Sequence, residues 1–191
     1  MITLIKKYEW ANPRDKFGLP VWRLNKILAI IQIKMQNLTE DNRDFPVNWS
    51  VMHMYSTMQL AKLVALKRGL EPDLAALTCA FHDIYSLLKG KTEDHGIKAE
   101  PYIREIILEY NSEHRESLPE ITAVEQEQIF VAVKNHSDKN KIDDDSYGKL
   151  LKDVDSIDSY LHGMTPGRKS GRIPRGNEVL KEFSIDHQIE R

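Results

Sequence analysis

Cysteine is almost absent: Cys79 is the only one in 191 residues. A single thiol excludes an internal disulfide framework and any paired-cysteine metal knuckle, and this usage suits a reducing compartment. Long apolar runs are missing too. The richest, Ile27 to Met35, is broken by Gln32 and Lys34 and is too short to span a bilayer. The opening residues, MITLIKKYEW, lack the extended apolar stretch and small-residue cleavage site of a secretory leader. A cytoplasmic location without a membrane partner is therefore expected. Neither sign of charge dominates. The 27 Lys+Arg against 29 Asp+Glu leave a formal net charge of −2, so no global basic field marks nucleic acid as the main partner. Alternating strand patterns, internal repeats and low-complexity tracts are also lacking.

Helical periodicity is what remains. LPVWRLNKILAIIQIKMQNL opens on Pro20, a residue suited to a first helical turn, and repeats apolar side chains at helical spacing. DFPVNW reads as a break, after which Ser50 is positioned to cap a helix from about Val51 to Arg68, stopped by Gly69. Pro72 restarts a helix whose stripe is Leu74, Leu77, Phe81 and Ile84 and which carries His82 and Asp83. Another follows Asp94, with Pro101 near its start, and Thr122 and Glu125 stand at capping-box spacing before a further one. The last runs from about Ser146 to a stop at Gly163. The fold class is thus all-α, a compact helical bundle. Residues 1–49 read as an N-terminal helical extension packed on the core and 50–162 as the bundle proper. Residues 163–191 read as a basic loop (Arg168, Lys169, Arg172, Arg175), a short helix around Glu178 to Phe183 and a loosely ordered tail.

Several helices put ionisable side chains where apolar ones belong. His53 shares a face with Thr57, Leu60 and Val64, and His136 continues the stripe Ile129, Ala132, Val133. His82 and Asp83 sit among alanines, Thr78 and Cys79. In the last bundle helix Asp153 shares a face with Lys149, Ser156 and Tyr160 and reads as solvated. Asp155 lies with Leu151, Asp158 and His162, so it is the aspartate expected to face the core. Singly, His53 or His136 reads as a hydrogen-bonded core histidine. Jointly, separate burials each need a partner, and one cation serves them all. A mixed imidazole and carboxylate set suits Fe, Mn, Ni or Zn better than Ca or Mg, and ligands from facing helices are an established way to hold a metal in a bundle.

His53, the doublet His82–Asp83 and Asp155 reproduce the H…HD…D order of the HD-domain metal-dependent phosphohydrolases, and the chain resembles that superfamily over roughly residues 50–162. ALTCAFHDI and LLKDVDSID are similar to its local texts, the second aspartate of Asp-x-Asp being the ligand. The resemblance implies metal ligation by His53, His82, Asp83 and Asp155, with Asp83 also the catalytic group that orients the nucleophile. It implies a second metal or a phosphate contact at His95 and His136. The cofactor is then one or two divalent transition ions (Fe, Mn, Ni, Co or Zn). The substrate is a small phosphorylated molecule, a nucleotide foremost, hydrolysed by metal-activated water. Lys91, Arg168 and Arg172 are the expected outer phosphate contacts. Many members continue the doublet as His-Asp-Ile-Gly-Lys, whereas Ser86 stands here at the lysine position. Two alternatives stay open: pyrophosphohydrolysis of nucleoside triphosphates, and a non-catalytic metal-binding sensor or interaction domain. A homodimer is compatible with either.

Overall fold

The computed structural model describes residues 21–113, 119–142, 145–164 and 171–190. They form helices α1 (Val21–Met35), α2 (Val47–Arg68), α3 (Pro72–Phe81), α4 (Ile84–Lys89), α5 (His95–Lys98), α6 (Glu100–Glu113), α7 (Ala123–Asn135), α8 (Ser146–Leu161) and α9 (Arg172–Glu182), with no strand among the described residues. The protein is all-α. Helix α3 is central: α1, α2, α7 and α8 all pack on it, and α2, α7 and α8 also touch one another in part. One continuous core, including Ile27, Ile31, Met58, Leu77, Phe81, Ile103, Ile106, Tyr110 and Leu150, fills the space between them.

Local chemistry sets most helix ends as the sequence predicts. Thr122 and Glu125 close a reciprocal capping box on α7. Gly69, at φ 69°, ends α2 in the left-handed conformation that a side chain would resist. Pro72 occupies the first turn of α3, and the Asp145 carboxylate accepts from Gly148 N at the start of α8.

Several expectations change. Helix α2 begins at Val47, not after Ser50, because Pro46 provides an extended N-cap and the Glu40 carboxylate accepts from Val47 N at 3.0 Å. That cap comes from seven residues upstream, outside the reach of a local motif, and it carries α2 across the boundary drawn at residue 50. The basic segment turns helical at Arg172, six residues earlier than expected, since Pro174 falls in the first turn of α9, where its missing N–H costs nothing. The tail is tied down as well: Ile189 is buried, and its backbone pairs with the Asn177 amide in both directions.

The fourth correction matters most for the site. The helix expected to carry His82 and Asp83 stops at Phe81, and Asp83 sits at φ −108°, ψ 18° before α4 restarts. Adjacent residues of an unbroken helix point about 100° apart. The break removes that constraint and lets both side chains of the doublet turn into one cluster.

Two ion networks hold this frame. Arg23 of α1 donates to Asp73 of α3 at 2.6 Å and to Glu125 of α7 at 2.8 Å. Asp153 is fully buried, not solvated as its helical face suggests. It accepts from Arg68 of α2, Lys149 of α8 and Arg175 of α9, each at 2.8 Å, and so ties three helices together.

Candidate metal centre

Each histidine of the cluster is held through its Nδ1. His53 donates to Asp158 Oδ2 at 2.6 Å, His82 to the Cys79 carbonyl at 2.6 Å, His95 to the Thr92 carbonyl at 2.6 Å and His136 to the Val133 carbonyl at 2.7 Å. A carbonyl or carboxylate oxygen only accepts, so Nδ1 must carry the proton in all four, and in the neutral ring Nε2 then presents a lone pair. The four Nε2 atoms face one another in two pairs: His53 to His82 at 3.1 Å and His95 to His136 at 2.9 Å. Carboxylates close the circle. Asp83 Oδ1 lies 3.1 Å from His95 Nε2 and 3.4 Å from His136 Nε2, its Oδ2 is 3.4 Å from His82 Nε2, and Asp155 Oδ1 is 3.3 Å from His53 Nε2.

Lone pairs thus converge on lone pairs. The Ser137 hydroxyl relieves one of them, at 3.2 Å from His95 Nε2. Positive charge is what the rest of the arrangement demands, and the proton equilibria register it. Burial opposes charge on His53, yet the flanking Asp155 and Asp158 outweigh it and raise the imidazole to about 10. Burial wins at His82, which is lowered, and at His136, which falls to about 4. Burial would raise both carboxylic acids. His82, His136 and His95 nevertheless hold Asp83 well below the ordinary range, and Lys139, Arg172 and His53 do the same for Asp155. Protons cannot satisfy the whole cluster, because His82 and His136 refuse them. A divalent cation fits: the donor set is imidazole Nε2 and carboxylate oxygen, with every Nδ1–H already anchored, which is the pattern of metal-ligating histidines. Three groups lie close enough to share an ion: His53, His82, Asp83; His82, His136, Asp155; and Asp83, His95, His136.

The sequence candidates are therefore brought together at His53, His82, Asp83, His95, His136 and Asp155. They come from α2, the α3–α4 break, the start of α5, the end of α7 and α8. Gly96 makes one of these approaches possible: a Cβ there would stand 2.6 Å from the Val133 carbonyl oxygen and 3.2 Å from His136 Nδ1, so only glycine lets α5 lie this close to α7. Arg172 reaches the cluster from α9, donating to Asp155 Oδ1 at 3.0 Å and to Ser159 Oγ at 3.0 Å. Lys91 does not. Its ammonium turns away to Asn42 Oδ1 at 3.1 Å and lies 3.5 Å from Asp44. Arg168 lies outside the described residues.

Two contributors went unassigned by sequence reasoning. Asp158 orients His53; its place one turn beyond Asp155 was the available signal. Lys139 is buried with its ammonium on Asp155 Oδ2 and on the His136 carbonyl at 2.6 Å, which fixes the carboxylate from behind. It follows α7 in a polar stretch with no motif, so nothing local announced it.

The cluster forms the floor of a pocket of about 360 Å³ whose walls include Phe45, Trp49, Ser50, Tyr160, Met164 and Arg172. Asp83 is the most exposed of the ligand candidates, its side chain 30% open. No described helix is long and apolar enough to cross a membrane.

Comparison with known proteins returns one family. No curated protein and no solved structure matches the chain. The HD domain family, whose members are generally metal-dependent phosphohydrolases, matches residues 51–160, a span that opens in α2 just before His53 and closes in α8 just after Asp158. The match covers more than half of the sequence and includes His53, His82, Asp83, His95, His136 and Asp155, and the chain belongs to the HD domain family.

Proposed function

We propose that the protein is a metal-dependent phosphohydrolase acting on a nucleotide or small phosphate ester. The observation that carries this reading is the convergence of four Nδ1-anchored imidazoles, Nε2 inward, on two ionised aspartates at the floor of an open pocket. His53, His82, Asp83 and Asp155 would hold the ion, and His95 and His136 a second ion or the phosphate. When bound, a divalent cation supplies Lewis acidity toward water and the phosphoryl oxygen.

The chain's own residues do the rest. Asp83, ionised and facing the pocket, accepts a hydrogen bond from the attacking water and sets its lone pair toward phosphorus. His95, whose imidazole Asp83 raises against the effect of burial, would offset charge developing on the phosphoryl oxygens, while His136, which stays neutral, would offer its Nε2 lone pair to a second ion. Arg172, at the wall, offers a guanidinium to the same oxygens. Lys139 and Asp158 hold Asp155 and His53 in place, which spares reorganisation during turnover.

Elemental analysis of the purified protein, followed by a phosphatase panel with Mn, Co, Ni and Zn, tests the reading. Stoichiometric transition metal and orthophosphate release are expected. Pyrophosphate release from triphosphates would move the assignment to pyrophosphohydrolysis, and bound metal without turnover would move it to a sensor. A protein that takes up no metal even on reconstitution would overturn it.

A further inference from the structure

Phe45 is an apolar ring left 39% exposed on a loop, yet the backbone that carries it is fastened from three sides. Asp44 N donates to the Gly90 carbonyl at 2.8 Å, and the Asp44 carboxylate accepts from Thr92 N and Thr92 Oγ1 at 2.8 and 2.9 Å. Arg43 donates through Nε to the Phe45 carbonyl at 3.2 Å and through Nη2 to the Ser86 and Leu87 carbonyls at 3.1 and 2.6 Å. Burial of the ring alone does not explain such a clasp, because more than a third of the residue stays open to water. Holding an exposed aromatic rigid lowers the ordering cost of a ligand that covers it.

The direction in which Phe45 is held is informative. It lies on the wall of the pocket whose floor is the His/Asp cluster, and its ring is tilted against Trp49 at 6.3 Å. Trp49 in turn stacks nearly parallel on His53, centroids 5.8 Å apart at 8°, with His162 edge-on at 5.2 Å. One face of Trp49 is thus spent on His53, and Phe45 stands two ring-steps from the ion-binding nitrogens. A phosphate on the cluster would leave room for a pentose before anything reached Phe45. Met164, also 39% exposed, and Tyr160 belong to the same cavity. At about 360 Å³ the pocket is at the small end of the roughly 300–1,000 Å³ typical of ligand sites. One mononucleotide fits that scale better than an oligonucleotide.

We propose that Phe45, braced by Trp49, is the platform on which the planar base of the substrate lies, so that the substrate is a nucleoside monophosphate rather than a sugar phosphate. The assignment of a phosphate to the cluster rests on the phosphohydrolase reading above; the ring platform itself does not require turnover.

Two measurements keep the two readings separable. In the first, calorimetry on the Mn-loaded protein compares adenosine and cytidine with ribose, none of which can be hydrolysed here. Both nucleosides are expected to bind and ribose to fail. Phe45→Ala weakens nucleoside binding roughly 5- to 150-fold, the usual range for removing a base-stacking ring, while Phe45→Tyr retains it. In the second, KM for AMP rises by a similar factor in Phe45→Ala, while KM for ribose 5-phosphate stays unchanged. Phe45 belongs to an exposed loop, so an unaltered melting curve confirms that the variant folds. Nucleosides binding no tighter than ribose, or equally in Phe45→Ala and the parent, overturn the platform even if phosphate is released. Phe45-dependent nucleoside binding without hydrolysis by any metal form would instead keep the platform and discard the phosphohydrolase.

Discussion

His53 shows how a single side chain is oriented by its neighbours. Asp158 accepts a hydrogen bond from its Nδ1–H at 2.6 Å and Trp49 stacks on one face, so the direction of Nε2 is fixed. Replacing Asp158 by Asn keeps the size and removes the ionised acceptor. Metal affinity is expected to drop about 10- to 100-fold, the usual effect of losing such an orienting partner, and titration with Mn measures it. An unchanged affinity would show that packing alone fixes the ring. Asp153, two positions from Asp155, answers to different physics. Its carboxylate is fully buried among Arg68, Lys149 and Arg175, and Asp153→Ala leaves those cations around an apolar hole. A loss of about 3 kcal/mol in denaturant stability is expected, with metal stoichiometry retained by whatever protein stays folded. Asp155→Ala should reverse the pattern and lose the metal first.

Elements contribute through their ends. Helix α7 is started by the Thr122–Glu125 box and delivers His136 after its last turn. Burial would raise the Glu125 carboxyl, but the Arg23 guanidinium and the Thr122 backbone N–H outweigh it and hold it below the ordinary value of 4.5. A carboxyl depressed in the folded state adds stability above the unfolded-state value and loses it as pH falls through the folded-state value. Glu125→Gln should therefore destabilise the protein by about 1 kcal/mol at neutral pH. The gap between variant and parent should narrow as pH falls below the ordinary carboxyl value of 4.5 and through the lower folded-state value, as urea midpoints measured across pH will show. Gly96→Ala tests the other side of the cluster. A methyl aimed at the Val133 carbonyl must push α5 off α7, so the His95–His136 approach opens. Loss of the second metal equivalent, or a raised KM if a single ion binds, is expected while the His53–His82–Asp83 group still holds its ion. Wild-type stoichiometry and KM would show that α5 yields without moving His95.

At the scale of the whole molecule the cluster joins segments from residue 53 to residue 172, so an ion bound there belongs to the folded state alone. Binding to the native state stabilises by mass action, about 2.7 kcal/mol at a hundredfold excess over Kd. For a chain of this size that shift corresponds to roughly 5–10 °C in Tm. Chelation should lower the melting temperature by this order and readdition of Mn restore it. A melting curve indifferent to chelator would place the ion outside the cooperative unit.

The helices themselves were legible one at a time. Gly69, Pro72 and the Thr122–Glu125 spacing act within a few residues of where they stand, and their ends fall where the sequence predicts. The inward histidines were legible for the same reason, since helical period alone decides which side chains share a face. Chain-distant contacts decided the rest. The cap from Glu40, the burial of Asp153 among cations from three helices, Lys139 behind Asp155 and the clasped ring of Phe45 depend on partners outside the reach of a local motif. So does the site itself. The sequence by itself determined which histidines turn inward; only the tertiary structure, by breaking the helix at His82–Asp83 and packing five segments together, decided that they meet in one cluster. Periodicity is a local property of the chain, and convergence is a property of its packing.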